Sequence, residues 1–166
     1  MDDSYRYYET DGDRFVRETR DVDLSGVYTP FVERLPPGGL VLDAGCGAGR
    51  DAAAFVRMGY RVVAFDASAA MVAATKETLA ALLPSQGAQA QVLLSRFEDF
   101  VPAGTFPDGI MLDATTRFDG IWACASLLHV RRLELAGVMR HLAELLLPGG
   151  VFYTSFKYGD GEILRN

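Results

Sequence analysis

The amino-acid sequence predicts an α/β fold: a three-layer sandwich in which a mainly parallel five-stranded sheet carries helices on both faces. Three observations predict it. Short apolar runs of five or six residues alternate along the chain with longer segments of helical spacing, which is how strands buried on both faces and their crossover helices read in sequence. Glycine and proline clusters separate the runs from their neighbours. The length of 166 residues, 49% hydrophobic and 23% charged, suits one soluble core.

The elements follow in order. Residues Tyr5 to Leu35 are polar and aromatic, with Phe15, Val16, Val22, Leu24, Val27, Tyr28, Phe31, Val32 and Leu35 spaced for helical pieces. We therefore expect residues 1–37 to form a helical cover and 38–166 the core of a single domain. Pro36-Pro37-Gly38-Gly39 forces a turn into a first strand, Leu40 to Ala44. A glycine loop and an alanine-rich helix from Arg50 to Met58 follow, with Gly59 placed for a left-handed helix end. Tyr60 to Phe65 forms the second strand. Ser68 is placed to cap a helix carrying Met71, Val72, Thr75, Leu79, Leu82 and Leu83, which Pro84 ends.

A third strand spans Ala90 to Leu94, and Val101 to Arg117 reads as an extended loop or small hairpin. Phe118 to Ala123 is the fourth strand. The apolar face of Arg131 to Leu147 predicts a helix, Pro148-Gly149-Gly150 a turn, and Val151 to Phe156 a fifth strand.

In an open parallel sheet, ligands bind beyond the carboxyl ends of the strands. The loop Asp43-Ala44-Gly45-Cys46-Gly47-Ala48-Gly49 lies there. Its glycines let the backbone approach a ligand, and the next helix points free N–H groups at it. A dinucleotide fingerprint would place glycine or alanine where Arg50 stands. Asp43 beside two phosphates would add like-charge repulsion, which disfavours a nicotinamide-dependent oxidoreductase. A ligand bearing an ammonium and a sulfonium would instead be attracted. Asp66, closing the second strand, can accept both hydroxyl protons of a ribose, or else stabilise the N-terminus of the following helix.

Sixteen basic against twenty-two acidic residues give a net charge of −6, which disfavours nucleic acid as a partner. No apolar run reaches the roughly 18 residues of a membrane span, and the first residues are acidic and aromatic rather than basic and then apolar, so we expect a cytoplasmic location. Cys46 and Cys124, widely separated, predict neither a disulfide framework nor a metal site.

Five passages occur in register: Tyr7-Tyr8 with Thr19 and Asp23; Val41 to Asp51; Val63 to Ser68; Phe118 to Val130; and Leu147 to Gly150. Together they resemble class I S-adenosylmethionine-dependent methyltransferases, which have a Rossmann-like sheet, and among them the small single-domain bacterial type. The resemblance implies that Gly45, Cys46 and Gly47 hold the methionine part of S-adenosylmethionine by backbone contacts, with Gly49 and Arg50 completing the loop. It implies that Asp43 orients this loop and the cofactor's amino group, that Asp66 takes the ribose, and that Ala67 and Met71 flank the adenine. Phe97 and Glu98 would lie at the adenine's other face and rim. Phe97 reads equally well as ordinary core. Ala123, Cys124 and Ala125 would line the passage to the acceptor, and Tyr7, Tyr8, Arg14 and Phe15 would close a lid, unless that aromatic segment merely packs.

His129 is a candidate general base toward an acceptor, or a residue that shapes its loop. His141 is expected to face solvent. The chain departs from the family's pattern after the fifth strand, where a helix and an antiparallel strand pair would follow. That departure leaves an apolar sheet edge which a homodimer could cover. The expected function is methyl transfer to a small-molecule acceptor; the alternative is a cofactor-binding module or truncated remnant without turnover.

Overall fold

The computed structural model of the protein describes residues 24–82, 90–106 and 108–156. In chain order these form α1 (Ser25–Val32), β1 (Leu40–Ala44), α2 (Arg50–Arg57), β2 (Arg61–Asp66), α3 (Ala69–Ala80), β3 (Ala90–Leu94), β4 (Gly104–Thr105), β5 (Met111–Leu112), β6 (Phe118–Ala123), α4 (Arg132–Glu144) and β7 (Leu146–Thr154). A single 3₁₀ turn, Leu127–His129, joins β6 to α4.

Five strands form one parallel sheet in the order β3-β2-β1-β6-β7. The chain leaves β1 outward through β2 and β3, then returns to lay β6 on β1's other side. The order therefore reverses at β1, and the glycine loop emerges at that reversal. Strand alternation divides the core. Leu40, Leu42 and Ala44 face Val63, Phe65, Ile121 and the α4 residues Val138 and Leu142. Val41 faces Val62, Ala64, Trp122 and residues of α1, α2 and α3. Helices thus cover both faces, as the apolar runs require.

The densest part of the second layer is aromatic. Tyr28 and Phe31 of α1 and Phe55 of α2 surround Trp122, with ring centroids 5.1–5.3 Å from it. Tyr153 of β7 stacks on Trp122 at 3.9 Å. Within the cover expected over residues 1–37, the described part contains α1, docked through Tyr28 and Phe31. Its earlier part lies outside the described residues.

Several boundaries differ from expectation. The helix after the 3₁₀ turn ends at Glu144, and Leu146 and Leu147 join β7. Leu146 pairs with Phe118 while Val151 pairs with Gly120, so Pro148-Gly149-Gly150 lies in a bulge inside the strand pairing instead of a turn before it. Pro148 biases Leu147 toward extended backbone, and Gly149 takes φ +83°. The strand ends at Thr154, not Phe156. Gly59 does adopt φ +88° after α2, and the Ser68 hydroxyl does accept the Met71 N–H. Leu83 and Pro84 lie outside the described residues. The segment 101–117 contains the antiparallel pair β4–β5.

Candidate functional site

The loop at residues 45–49 is fixed from three directions. From β2, the Phe65 carbonyl accepts the N–H groups of Gly45 and Cys46, both at 2.9 Å. Asp66 accepts the Gly47 N–H at 3.0 Å with one carboxylate oxygen and the Ser68 N–H at 2.9 Å with the other. From α3, Thr75 donates to the Gly47 carbonyl at 2.7 Å and Thr78 to the Ala48 carbonyl at 3.1 Å. From beyond β6, Ser126 donates to the Ala44 carbonyl at 2.6 Å. Beneath the loop lies the buried Asp43 carboxylate, near the first turn of α2, whose backbone favours its charged form.

Gly45 and Gly49 are required by this packing. Gly45 has φ +77°, and a Cβ there would stand 2.5 Å from the Ser126 Cβ and 3.0 Å from the Phe97 ring. Gly49 has φ +83°, and its Cβ would meet Thr75 at 2.9 Å. Their lack of side chains lets β6's exit and α3 press against the loop, and so defines the site's floor.

Carboxylates dominate the electrostatics. Asp43 is buried on β1, and its Oδ2 has no hydrogen-bond partner. Burial, then the nearby charge of Asp51, holds its carboxyl well above the ordinary range. Burial also raises Asp66, while the N–H groups of Ser68, Gly47 and Ala67 oppose the rise. An unpaired buried acceptor beside a second buried carboxylate is a costly arrangement in a protein interior. A cationic ligand would relieve it.

Beside them lies a network that motif reading passed over. Asp51 Oδ1 accepts from the Tyr28 hydroxyl and from Arg50 Nε, each at 2.6 Å; its Oδ2 accepts from Trp122 Nε1 at 2.8 Å and Arg50 Nη2 at 3.1 Å. Burial and donation to Asp51 push the Tyr28 phenol upward. Asp51 closes the Val41 to Asp51 motif and has Arg50 as its neighbour, but Tyr28 and Trp122 reach it from 23 and 71 residues away.

Of the residues expected at the site, Asp43, Gly45, Cys46, Gly47, Gly49, Arg50 and Asp66 meet at the carboxyl ends of β1 and β2. The Cys46 side chain is turned into the core, 3.5 Å from the Thr75 hydroxyl, and burial raises its thiol pKa. Ala67 is half-buried and Met71 buried on the following turn. Phe97 is buried with its ring edge-on to Phe65 at 5.4 Å and reaches Gly45. It serves the core and the loop together. Glu98 is exposed and ion-paired with Arg96 at 3.7 Å.

At the end of β6, Ala123 is fully buried among core side chains. Cys124 is half-buried, and Ala125 follows at φ +51°, its N–H donating to Ser155 at 2.8 Å. His129 is exposed at the end of the 3₁₀ turn. His141 does not simply face solvent; it is half-buried, with Nε2 2.9 Å from the Phe100 carbonyl. Tyr8, with Tyr7, Arg14 and Phe15, lies outside the described residues. Thr75, Thr78 and Ser126 were missed as loop supports. A buried hydroxyl on a helix's apolar stripe, as at Thr75, was the available signal, because such groups need a partner.

Among the described residues no cluster of His, Cys, Asp and Glu could hold a metal ion, and no helix is long and apolar enough to cross a membrane.

A family model described as a methyltransferase domain matches residues 42–152. Among solved structures, the magnesium protoporphyrin IX methyltransferase of Synechocystis PCC 6803 with bound S-adenosylhomocysteine is 21% identical, with a TM-score of 0.67 over 86% of this chain and 66% of its own. The sugar N-methyltransferase of Streptoalloteichus sp ATCC 53650 is 25% identical, with a TM-score of 0.65 over 93% of this chain and 56% of its own. A [4+2]-cyclase, SpnF, shares the fold at 21% identity, with a TM-score of 0.57 over 78% of this chain and 43% of its own. The chain therefore spans about half to two-thirds of these proteins' length. No curated protein matches it by sequence.

Proposed function

Because the chain belongs to the methyltransferase-domain family, we propose that it binds that family's cofactor, S-adenosylmethionine, at the carboxyl ends of β1 and β2 and transfers the methyl group to a small-molecule acceptor. One observation carries the reading. The family's glycine loop stands at the sheet's reversal together with Asp43, whose buried carboxylate lacks a partner on one oxygen, and with Asp66. This set of carboxylate acceptors suits a ligand with an ammonium, a sulfonium and ribose hydroxyls.

In this reading Gly45, Cys46 and Gly47 present backbone to the methionine part, with Gly49 and Arg50 completing the loop. Asp43 orients the loop and holds the amino end by charge. Asp66 takes the ribose through the lone pairs left beside its bonds to Gly47 and Ser68. Ala67 and Met71 flank the adenine on one side, and Phe97 and Glu98 on the other. Cys124 and Ala125 border the acceptor.

When bound, S-adenosylmethionine supplies a methyl group on an activated sulfonium leaving group. The protein's task is then to align the acceptor and exclude water, which needs no catalytic triad. His129 shapes the loop after β6 and moves no proton. The acidic balance of the chain, −6, supports an acceptor other than nucleic acid. We read the protein as cytoplasmic, and a homodimer through the outer edge of β7 as its assembly.

Calorimetric titration of the full chain with S-adenosylhomocysteine, followed by transfer of labelled methyl to a small-molecule acceptor panel, tests the reading. Saturable binding and a labelled product are expected; a folded sample that binds neither cofactor form overturns it. A second reading, cofactor binding without methyl transfer, draws on the [4+2]-cyclase that shares the fold. Tight binding with no labelled product across the panel would favour it.

A further inference from the structure

We propose that Asp51 is a positioning residue of the cofactor site: it fixes the Arg50 guanidinium so that Arg50 takes the carboxylate at the amino-acid end of the bound cofactor. The inference rests on the cofactor reading above and assigns a part of the ligand that the glycine loop and Asp43 leave unmatched.

The geometry of Asp51 points to this role. Its carboxylate is buried, 7% exposed, and receives four donors from α1, α2 and β6. Two come from Arg50 as a bidentate pair. The guanidinium is planar, so a bidentate pair along one edge sets the plane and direction of the whole group. The other two, from Tyr28 and Trp122, set the carboxylate itself. Trp122 is locked in turn by Tyr153 stacked on it and by Phe31 and Phe55 at its edges. The aim of Arg50 is thus determined by rigid aromatic core.

Arg50 is the first residue of α2, directly after the loop, and its side chain is 24% exposed, at the border of core and solvent. Its Asp51 partner bonds Trp122, which pairs with Asp43 across β1 and β6, so the guanidinium is anchored beside the carboxyl ends of those two strands. The amino-acid end of the cofactor carries one positive and one negative group. Asp43 answers the first, and Arg50, held away from neutralising Asp43 by its bond to Asp51, answers the second. Lysine, a point charge on a flexible stem, would not keep this aim.

Calorimetry with the full chain separates the possibilities, using S-adenosylhomocysteine and its decarboxylated analogue, S-adenosyl-3-thiopropylamine. Wild type should bind the former about 10- to 100-fold more tightly, the range of a charge-assisted hydrogen bond. Arg50→Ala should abolish that preference, lowering affinity for S-adenosylhomocysteine far more than affinity for the analogue. Tyr28→Phe keeps the arginine and its charge but loosens Asp51, and should reduce the preference; damage to the fold alone would weaken both ligands in proportion. Equal binding of the two ligands by wild type, or a proportional loss of both in Arg50→Ala, overturns the assignment while leaving the cofactor reading intact. Binding of neither ligand by wild type overturns the cofactor reading and this inference with it.

Discussion

Thr75 on α3 donates its hydroxyl to the Gly47 carbonyl at 2.7 Å, which ties the middle of the glycine loop to a helix 28 residues further along the chain. The same hydroxyl lies 3.5 Å from the Cys46 thiol, and the side chain fills the space that a Cβ on Gly49 would take. One β-branched residue therefore sets both the height and the tightness of the loop. Thr75→Val keeps the volume and removes the bond. We expect a loss of about 1–2 kcal/mol in urea unfolding, since a half-buried carbonyl loses its donor, together with weaker S-adenosylhomocysteine binding.

Gly45→Ala tests the packing that the loop makes with β6's exit. The new methyl meets the Ser126 Cβ at 2.5 Å at φ +77°, so left-handed strain and overpacking add. The expected cost is about 2–4 kcal/mol, read as a lowered urea midpoint. Cofactor affinity should fall with it. Gly59→Ala, at φ +88° but in open space, should show the backbone strain alone, about 1 kcal/mol.

The buried carboxylates make stability depend on pH. Asp43 and Asp66 both have native pKa values raised by burial, so the folded state holds their protons more tightly than the unfolded chain. Their stabilising contribution is complete below the ordinary carboxylate value near pH 4 and is lost as pH rises through the raised native values. Melting temperatures of the cofactor-free protein should fall across that window. Asp43→Asn, which removes the larger of the two shifts, should flatten the fall while weakening binding of the cationic cofactor.

Much of the fold was legible because the signals were local and strong. Leu40 to Ala44 and Phe118 to Ala123 are apolar runs short enough to be strands, and Gly59 and Ser68 mark helix ends by their own backbone and side-chain chemistry. What failed was set by pairing at a distance. Leu146 and Leu147 continue a helical pattern, yet hydrogen bonding to β6 draws Leu146 into a strand and pushes Pro148-Gly149-Gly150 into a bulge. The site divides in the same way. Asp43, the loop glycines and Asp66 could be placed because they stand at or just beyond the carboxyl ends of strands. Thr75, Ser126 and Asp51 could not, because their partners are defined only once α3, β6 and α1 have packed.

His129 stands exposed after the 3₁₀ turn, without the burial that tunes a proton-transfer group. His129→Asn should leave S-adenosylhomocysteine affinity unchanged and turnover within about tenfold, below the 10²–10⁴ that general base catalysis contributes. A larger loss in turnover, with a pH profile that loses an ionisation near neutrality, would assign it the proton.

Calorimetric titration of the full chain with S-adenosylhomocysteine, with NAD in parallel, tests the central claim most directly. The account predicts saturable binding of S-adenosylhomocysteine with one site per chain, lost in Gly45→Ala, and no heat from NAD. A folded protein that gives no saturable heat with S-adenosylhomocysteine, or that prefers NAD, would contradict it.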